Sequence, residues 1–169
     1  MFKTFLALSA ALIVQQTSAA IPKTLEAEIS SFKEKNIKGD VIFEYVPEGV
    51  RVKAHVVGLV PNSRHGFHVH ENGECAGPDY KTAGGHLNPA NMRHGSPASS
   101  VSHMGDLGNL VANEKGEAHV DRILNKKEAA QIMELKGKAV LIHAKGDDLQ
   151  TQPAGDAGGR IACGVIESI

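Results

Sequence analysis

Two histidines, His68 and His70, stand two apart in the segment GFHVHE. On an extended chain that spacing turns both imidazoles to one face, where they can grip a single metal ion, while Phe67 and Val69 point the other way into apolar packing. The stretch that follows, from about Cys75 to Met104, is rich in Gly, Pro, Asn and Ser and has no hydrophobic periodicity, yet it carries His86 in GGHLNP, His94 in RHGSP and His103 in SHMGDLGN, with Asp106 three residues on. A histidine and a carboxylate three apart bind one ion where the chain bends, and the nearby glycines permit the bend. His143, in VLIHAKGDD, completes a set of six histidines and one aspartate in a chain that has 9 histidines and no tryptophan.

Taken singly, these residues have ordinary explanations. A lone histidine beside Leu141, Ile142 and Ala144 is more often a satisfied core residue than a ligand, and an H-x-H pair alone is weak evidence of metal. Together they favour a metal centre. Two four-coordinate ions need eight contacts and the set offers seven residues, so one residue must serve twice, as an imidazole does when both ring nitrogens bind metal. Three histidines with an aspartate in a closed site suit zinc, and an all-imidazole site with an open position suits copper(II). Spacing leaves open which histidine is shared and which ions are bound.

The elements that must position these residues read as short strands. LEAEISSFK, DVIFEYV, VRVKAHVVGL, GFHVHE, LGNLVAN, EAHVDRIL, KAVLIHAK and RIACGVIE alternate or run apolar between turn signals, about eight strands in all. In VRVKAHV, Val50, Val52, Ala54 and Val56 share one face and Arg51, Lys53 and His55 the other. Such spacing predicts an antiparallel sandwich or barrel. An aperiodic loop as long as the one before Met104 is usually functional or disordered. A shorter loop spans Gly146 to Gly159, and NKKEAAQIM is expected to form a helical turn.

At 169 residues the chain fits one domain, with no internal repeat or linker. Residues 1–20, MFKTFLALSAALIVQQTSAA, have one lysine, a short apolar run and a small-residue end, which predicts a cleaved secretory signal and a mature domain over 21–169. No later segment is apolar enough to span a membrane, so the mature chain is expected to be soluble. Cleavage removes Lys3, the one charged residue of that segment, from a chain of formal net charge −1, and nothing in this balance points to nucleic acid. Export to an oxidising compartment, the periplasm or the exterior, makes Cys75 and Cys163, the two cysteines present, an expected disulfide. A thiol catalyst would want a C-x-x-C pair or a lone activated thiol, and neither is there.

Five motifs, in order and across nearly the whole mature chain, resemble the copper,zinc superoxide dismutase family. GFHVHENGEC resembles its copper-ligand strand leading into the disulfide loop, GGHLNP its bridging-histidine turn, HGSPASSVSHMGDLGN its zinc loop, IHAKGDD its last copper-ligand strand, and GGRIACGVI its active-site arginine segment. The resemblance implies an all-β fold, an eight-stranded antiparallel Greek-key barrel or flattened sandwich. It implies one copper held by His68, His70, His86 and His143, one zinc held by His86, His94, His103 and Asp106, and His86 as the shared ligand. Asp147 is implied to join His68 to His94 by hydrogen bonds from their non-metallated nitrogens. Asp148 and His65 read as a turn residue and a structural residue, and His55 and His119 as surface residues.

The implied activity is dismutation of superoxide to oxygen and hydrogen peroxide by a redox-cycling copper, with a redox-inert zinc. His86 is implied as proton carrier and Arg160 as the cation that holds the anion. The chain departs from many members in the loop before Arg160, where LQTQPAGDAGG carries one charged residue, the negative Asp156. Any guidance of an anion must then come from local positive charge, and Lys81 is the nearest basic residue in sequence before His86. A metal-sequestering protein would use the same histidines but would need neither an open copper position nor an arginine beside it, and an adhesion-type sandwich would not need the histidines. A two-zinc hydrolase would normally recruit more carboxylates. Both a monomer and a homodimer fit the sequence, since no long exposed apolar run marks an interface.

Overall fold

The computed structural model describes residues 24–32, 36–124 and 133–169. Within them the chain forms eight strands: β1 Thr24–Ser30, β2 Lys38–Val46, β3 Gly49–Val57, β4 Arg64–His70, β5 Asp106–Val111, β6 Ala118–Leu124, β7 Ala139–His143 and β8 Arg160–Ser168. Each matches one of the segments expected from the alternation of the sequence. The expected signal at 1–20 and all but the last residue of the expected helical turn at 125–133 lie outside the described residues.

All pairings are antiparallel, in the order β5-β4-β7-β8-β1-β2-β3-β6. β5 and β6, the ends of that order, approach each other without a hydrogen-bonded ladder, which leaves the barrel nearly closed. β3 lies beside β6 although β4 and β5 intervene in sequence, a crossing of Greek-key type. The inward residues make one apolar core in which Leu25, Phe43, Phe67, Leu107, Leu110 and Ile142 are almost fully buried. Each such side chain contributes about 1.5–3 kcal/mol by leaving water. Val50, Val52, Ala54 and Val56 belong to that core, as their alternation predicts.

β4 is buried on both faces. Phe67 and Val69 enter the core, and His68 and His70 are equally shielded beneath the loops. The ladder slips between Gly66 and His68 where β4 meets β5, and between Ile142 and His143 where β7 meets β8. Bulges of this kind re-aim side chains next to functional sites, and here each slip abuts a histidine of the set.

The loop between β4 and β5 is ordered by its own main chain. Leu87 N donates to Val69 O at 2.8 Å, Gly105 N to Leu87 O at 2.9 Å, and Val69 N to Gly105 O at 2.8 Å, so the end of β4 is captured by two separate parts of the loop. Cys75 and Cys163 form a disulfide with a Cα–Cα distance of 5.6 Å, which pins the loop to β8. A short 3-10 helix, Lys81–Ala83, lies between these anchors.

Candidate metal centre

The loop fastenings and the two ladder slips bring all seven predicted residues together. His68, His70, His86 and His143 form one buried cluster, and His86, His94, His103 and Asp106 a second; within each, one ligand atom per residue lies within 4.8 Å of the others. His86 belongs to both.

Hydrogen bonds decide which nitrogen of each ring is free. His70 Nδ1 donates to Gly84 O at 2.9 Å and His143 Nδ1 to Gly158 O at 3.2 Å, so each is left with Nε2, and these two atoms stand 3.4 Å apart. His68 Nε2 donates to Asp147 Oδ2 at 2.8 Å. His68 Nδ1 and His86 Nε2 are buried with no hydrogen-bond partner. Buried nitrogens without partners are costly, and two in one cluster with the free Nε2 atoms of His70 and His143 make an all-imidazole donor set.

In the second cluster the carboxylate is the hub. Asp106 Oδ1 lies 3.0 Å from His86 Nδ1, 2.9 Å from His94 Nδ1 and 3.3 Å from His103 Nδ1. Its Oδ2 accepts from the main-chain N–H of Gly95 at 3.0 Å and of His103 at 2.8 Å, which fixes the aspartate before any ion arrives.

Asp147 links the two clusters: Oδ2 accepts from His68 and Oδ1 from His94 Nε2 at 3.0 Å. Sequence reasoning missed what holds this bridge. Asn109 grips the main chain of Asp147, its Oδ1 accepting from Asp147 N at 2.7 Å and its Nδ2 donating to Asp147 O at 2.9 Å. Gln152 does the same to His94, its Oε1 accepting from His94 N and its Nε2 donating to His94 O, both at 2.9 Å. Gly155 has φ +67°, and a Cβ there would fall 1.8 Å from Asp147 Oδ1. No spacing signal marks these three residues, because their roles depend on contacts across 38, 58 and 8 residues of chain.

Burial controls the charge of the first cluster. It lowers the pKa of His68 to about 4 against the pull of Asp147, that of His143 to about 3, and that of His70 to about 2. In the second cluster burial also opposes charge, but the hydrogen bonds of His94 to Asp106 and Asp147 outweigh it and raise that pKa to about 9. Both carboxyls lie well below the usual range, since their bonds to the histidines outweigh burial. His68, His70 and His143 are thus neutral imidazoles and Asp106 an ionised carboxylate, the forms that bind metals, whereas a metal at His94 must displace a proton.

A cleft of about 530 Å³ opens onto the first cluster, lined by His70, His86, His143 and Arg160 among others. Among the described residues that line it, Arg160 is the one with a permanent charge. Its guanidinium donates to the carbonyls of Tyr80 and Gly84. Lys81 lies off the cleft, exposed, and paired to Asp79 at 2.8 Å. His65 is buried between Ser63 Oγ and the His143 carbonyl, a structural role as expected, and His55 and His119 are exposed.

Comparison with known proteins settles the grouping. Residues 37–166 match the family model described as copper/zinc superoxide dismutase (SODC). The chain belongs to that family. It is 39% identical over 140 residues to superoxide dismutase [Cu-Zn] 2 of Aquifex aeolicus, covering 78% of this chain and 82% of the relative. Superoxide dismutase [Cu-Zn] 1 of the same organism is 35% identical over 173 residues, covering 99% and 100%. Among solved structures, the clock protein EA4 superposes with a TM-score of 0.80 at 33% identity, over 92% of this chain and all of that one. A double mutant of a superoxide-dismutase-like protein from Bacillus subtilis does so with 0.71 at 32%, over 82% and 94%. The eight-stranded antiparallel barrel is therefore that of superoxide-dismutase-like proteins, and the family's copper and zinc fit the two donor sets: one of imidazoles with orphaned nitrogens, one of imidazoles around a carboxylate.

Proposed function

We propose that the exported chain protects an extracytoplasmic compartment by converting two superoxide anions and two protons into dioxygen and hydrogen peroxide. Copper would be held by His68, His70, His86 and His143, and zinc by His86, His94, His103 and Asp106. The observation that carries this reading is the double membership of His86: its Nε2 is buried without a partner, while its Nδ1 faces Asp106 and His103 Nδ1. An imidazole that has lost both ring protons can serve both ions.

Copper, when bound, supplies one-electron exchange with superoxide in either direction, and zinc supplies fixed positive charge. The chain's residues do the rest. Arg160 draws the anion into the cleft; two carbonyls anchor its guanidinium and N–H donors remain for a ligand. When its Nε2 is not engaged by copper, His86, which lines the same cleft, would hold a proton there and hand it to the reduced anion, the second proton coming from solvent. Asp147 accepts from Nε2 of His68 and of His94, which turns Nδ1 of each ring toward the donor clusters. The disulfide and the signal-like segment at 1–20 support export.

Single substitutions test the ligand assignment. His70→Ala should release copper and keep zinc, His103→Ala should release zinc and keep copper, and His86→Ala should weaken both. Metal analysis showing that His86→Ala loosens one ion alone would refute the shared ligand.

A further inference from the structure

The outer face of the other half of the barrel carries two histidines that the metal centre does not use. Seven of the nine are buried, and His55 and His119 are the two exposed ones. They are direct cross-strand partners, His55 on β3 and His119 on β6. Their rings stack with centroids 4.4 Å apart and planes 10° from parallel.

Side chains at directly opposed strand positions leave the sheet about 5 Å apart. Two imidazoles so placed can turn one nitrogen each onto a common ion by small rotations about χ2. Their surroundings favour a cation. Asp40 on β2 stands opposite His55, and Glu28 on β1 stands opposite Asp40, so one row crosses four strands as carboxylate, carboxylate, imidazole, imidazole. Glu28, Asp40 and His55 line a shallow concavity with Glu26 and Lys38, where acidic groups outnumber the lysine. Asp121, two residues along from His119, is engaged by Arg51 through two hydrogen bonds of 2.7 Å. The imidazoles face each other, and among the described residues neither has an ion-pair partner.

We propose that His55 and His119 together bind a divalent transition ion, copper(II), nickel(II) or zinc(II), at a solvent-facing site separate from the buried centre. Two protein donors and an open coordination sphere make this an exchangeable site, completed by water, where the buried clusters offer four donors each.

The test uses the full chain already carrying copper and zinc. Calorimetric titration with zinc at neutral pH should show one further equivalent. His55→Ala and His119→Ala should each weaken it by about tenfold or more, and the double variant should lose no more than either single one, because one remaining imidazole cannot chelate. Both variants should keep the buried metals and the unfolding temperature, since both side chains are exposed. Absence of a further equivalent in the wild type, or an equivalent that the single variants leave within about twofold, would overturn the proposal. Retention on immobilised nickel gives a second readout: it should require both histidines, and retention unchanged in either variant would also overturn it.

Discussion

His70 and Arg160 are fastened to one acceptor, the carbonyl of Gly84, which takes the Nδ1–H of His70 at 2.9 Å and an N–H of the Arg160 guanidinium. The cation of the cleft and a donor imidazole are thus spaced by a single peptide group. Arg160→Ala should retain both metals and lose roughly 10- to 100-fold in the second-order rate with superoxide. Stopped-flow kinetics with metal analysis on the same sample checks this; an unchanged rate would remove Arg160 from anion binding.

Lys81 and Asp79 form an exposed pair close enough for Asp79 to act on Arg160. At a distance the two charges largely cancel. Lys81→Ala would leave Asp79 uncompensated, so it should lower the low-salt rate modestly and flatten its ionic-strength dependence, whereas Asp79→Asn should raise the low-salt rate. Identical rates and salt slopes in both variants would exclude the pair from guidance.

Gly155 leaves no room for a side chain beside Asp147 and His94: a Cβ would lie 1.8 Å from Asp147 Oδ1 and 2.8 Å from His94 Nε2. Gly155→Ala should displace Asp147 and weaken zinc binding about 10- to 100-fold, the usual cost of losing a partner that orients a ligand. Gly159→Ala, where a Cβ meets nothing within 4 Å, is the control. Equal zinc release from the two variants, followed with a chromogenic chelator, would contradict the steric argument.

The metal-free chain should be most stable near neutral pH. Unfolded histidines titrate near 6.5, but burial lowers His68 to about 4 and His143 to about 3, so the unfolded chain takes up protons that the folded one refuses. Stability should therefore fall as the pH drops from 6.5 towards 4. His94 acts in the opposite sense. With its pKa raised to about 9, its contribution is complete below 6.5 and lost as the pH rises through 9. Denaturant unfolding of chelator-stripped protein across this range measures the curve, and a midpoint that climbs steadily from pH 6.5 down to 4 would contradict it.

Reduction of Cys75–Cys163 should destabilise the chain by about 4–5 kcal/mol on the chain-entropy estimate for a loop closed across 88 residues. Metal release should quicken as well, because the same bridge pins the loop that carries His86 and the Gly84 carbonyl. An unfolding curve and zinc off-rate indifferent to reduction would disprove that coupling.

The strands were legible because alternation is a local property: Val50, Val52, Ala54 and Val56 declare their shared face within seven residues. The seven clustered residues were legible because metal donors are few in kind, and His68 with His70 or His103 with Asp106 sit at spacings that chelate. Which histidine is shared was not readable from spacing; family resemblance pointed to His86, and in the folded chain its ring nitrogens lie within 4.8 Å of donor atoms of both clusters. The supports were invisible for a related reason. Asn109, Gln152 and Gly155 are common residue types whose work consists of gripping or making room for main chain that is distant in sequence. Lys81 shows the converse, since nearness in sequence to His86 did not put it in the cleft.

In the proposed reading one chain holds a redox-active and a redox-inert ion through a common histidine and uses them on superoxide. Metal content and superoxide consumption of the purified, oxidised chain, measured on one sample, test it most directly. The expected result is about one copper and one zinc per chain, catalytic loss of superoxide with peroxide and dioxygen formed in equal amounts, and loss of that activity when copper alone is withdrawn. Two tightly bound zinc ions, with no consumption of superoxide after copper loading, would contradict it.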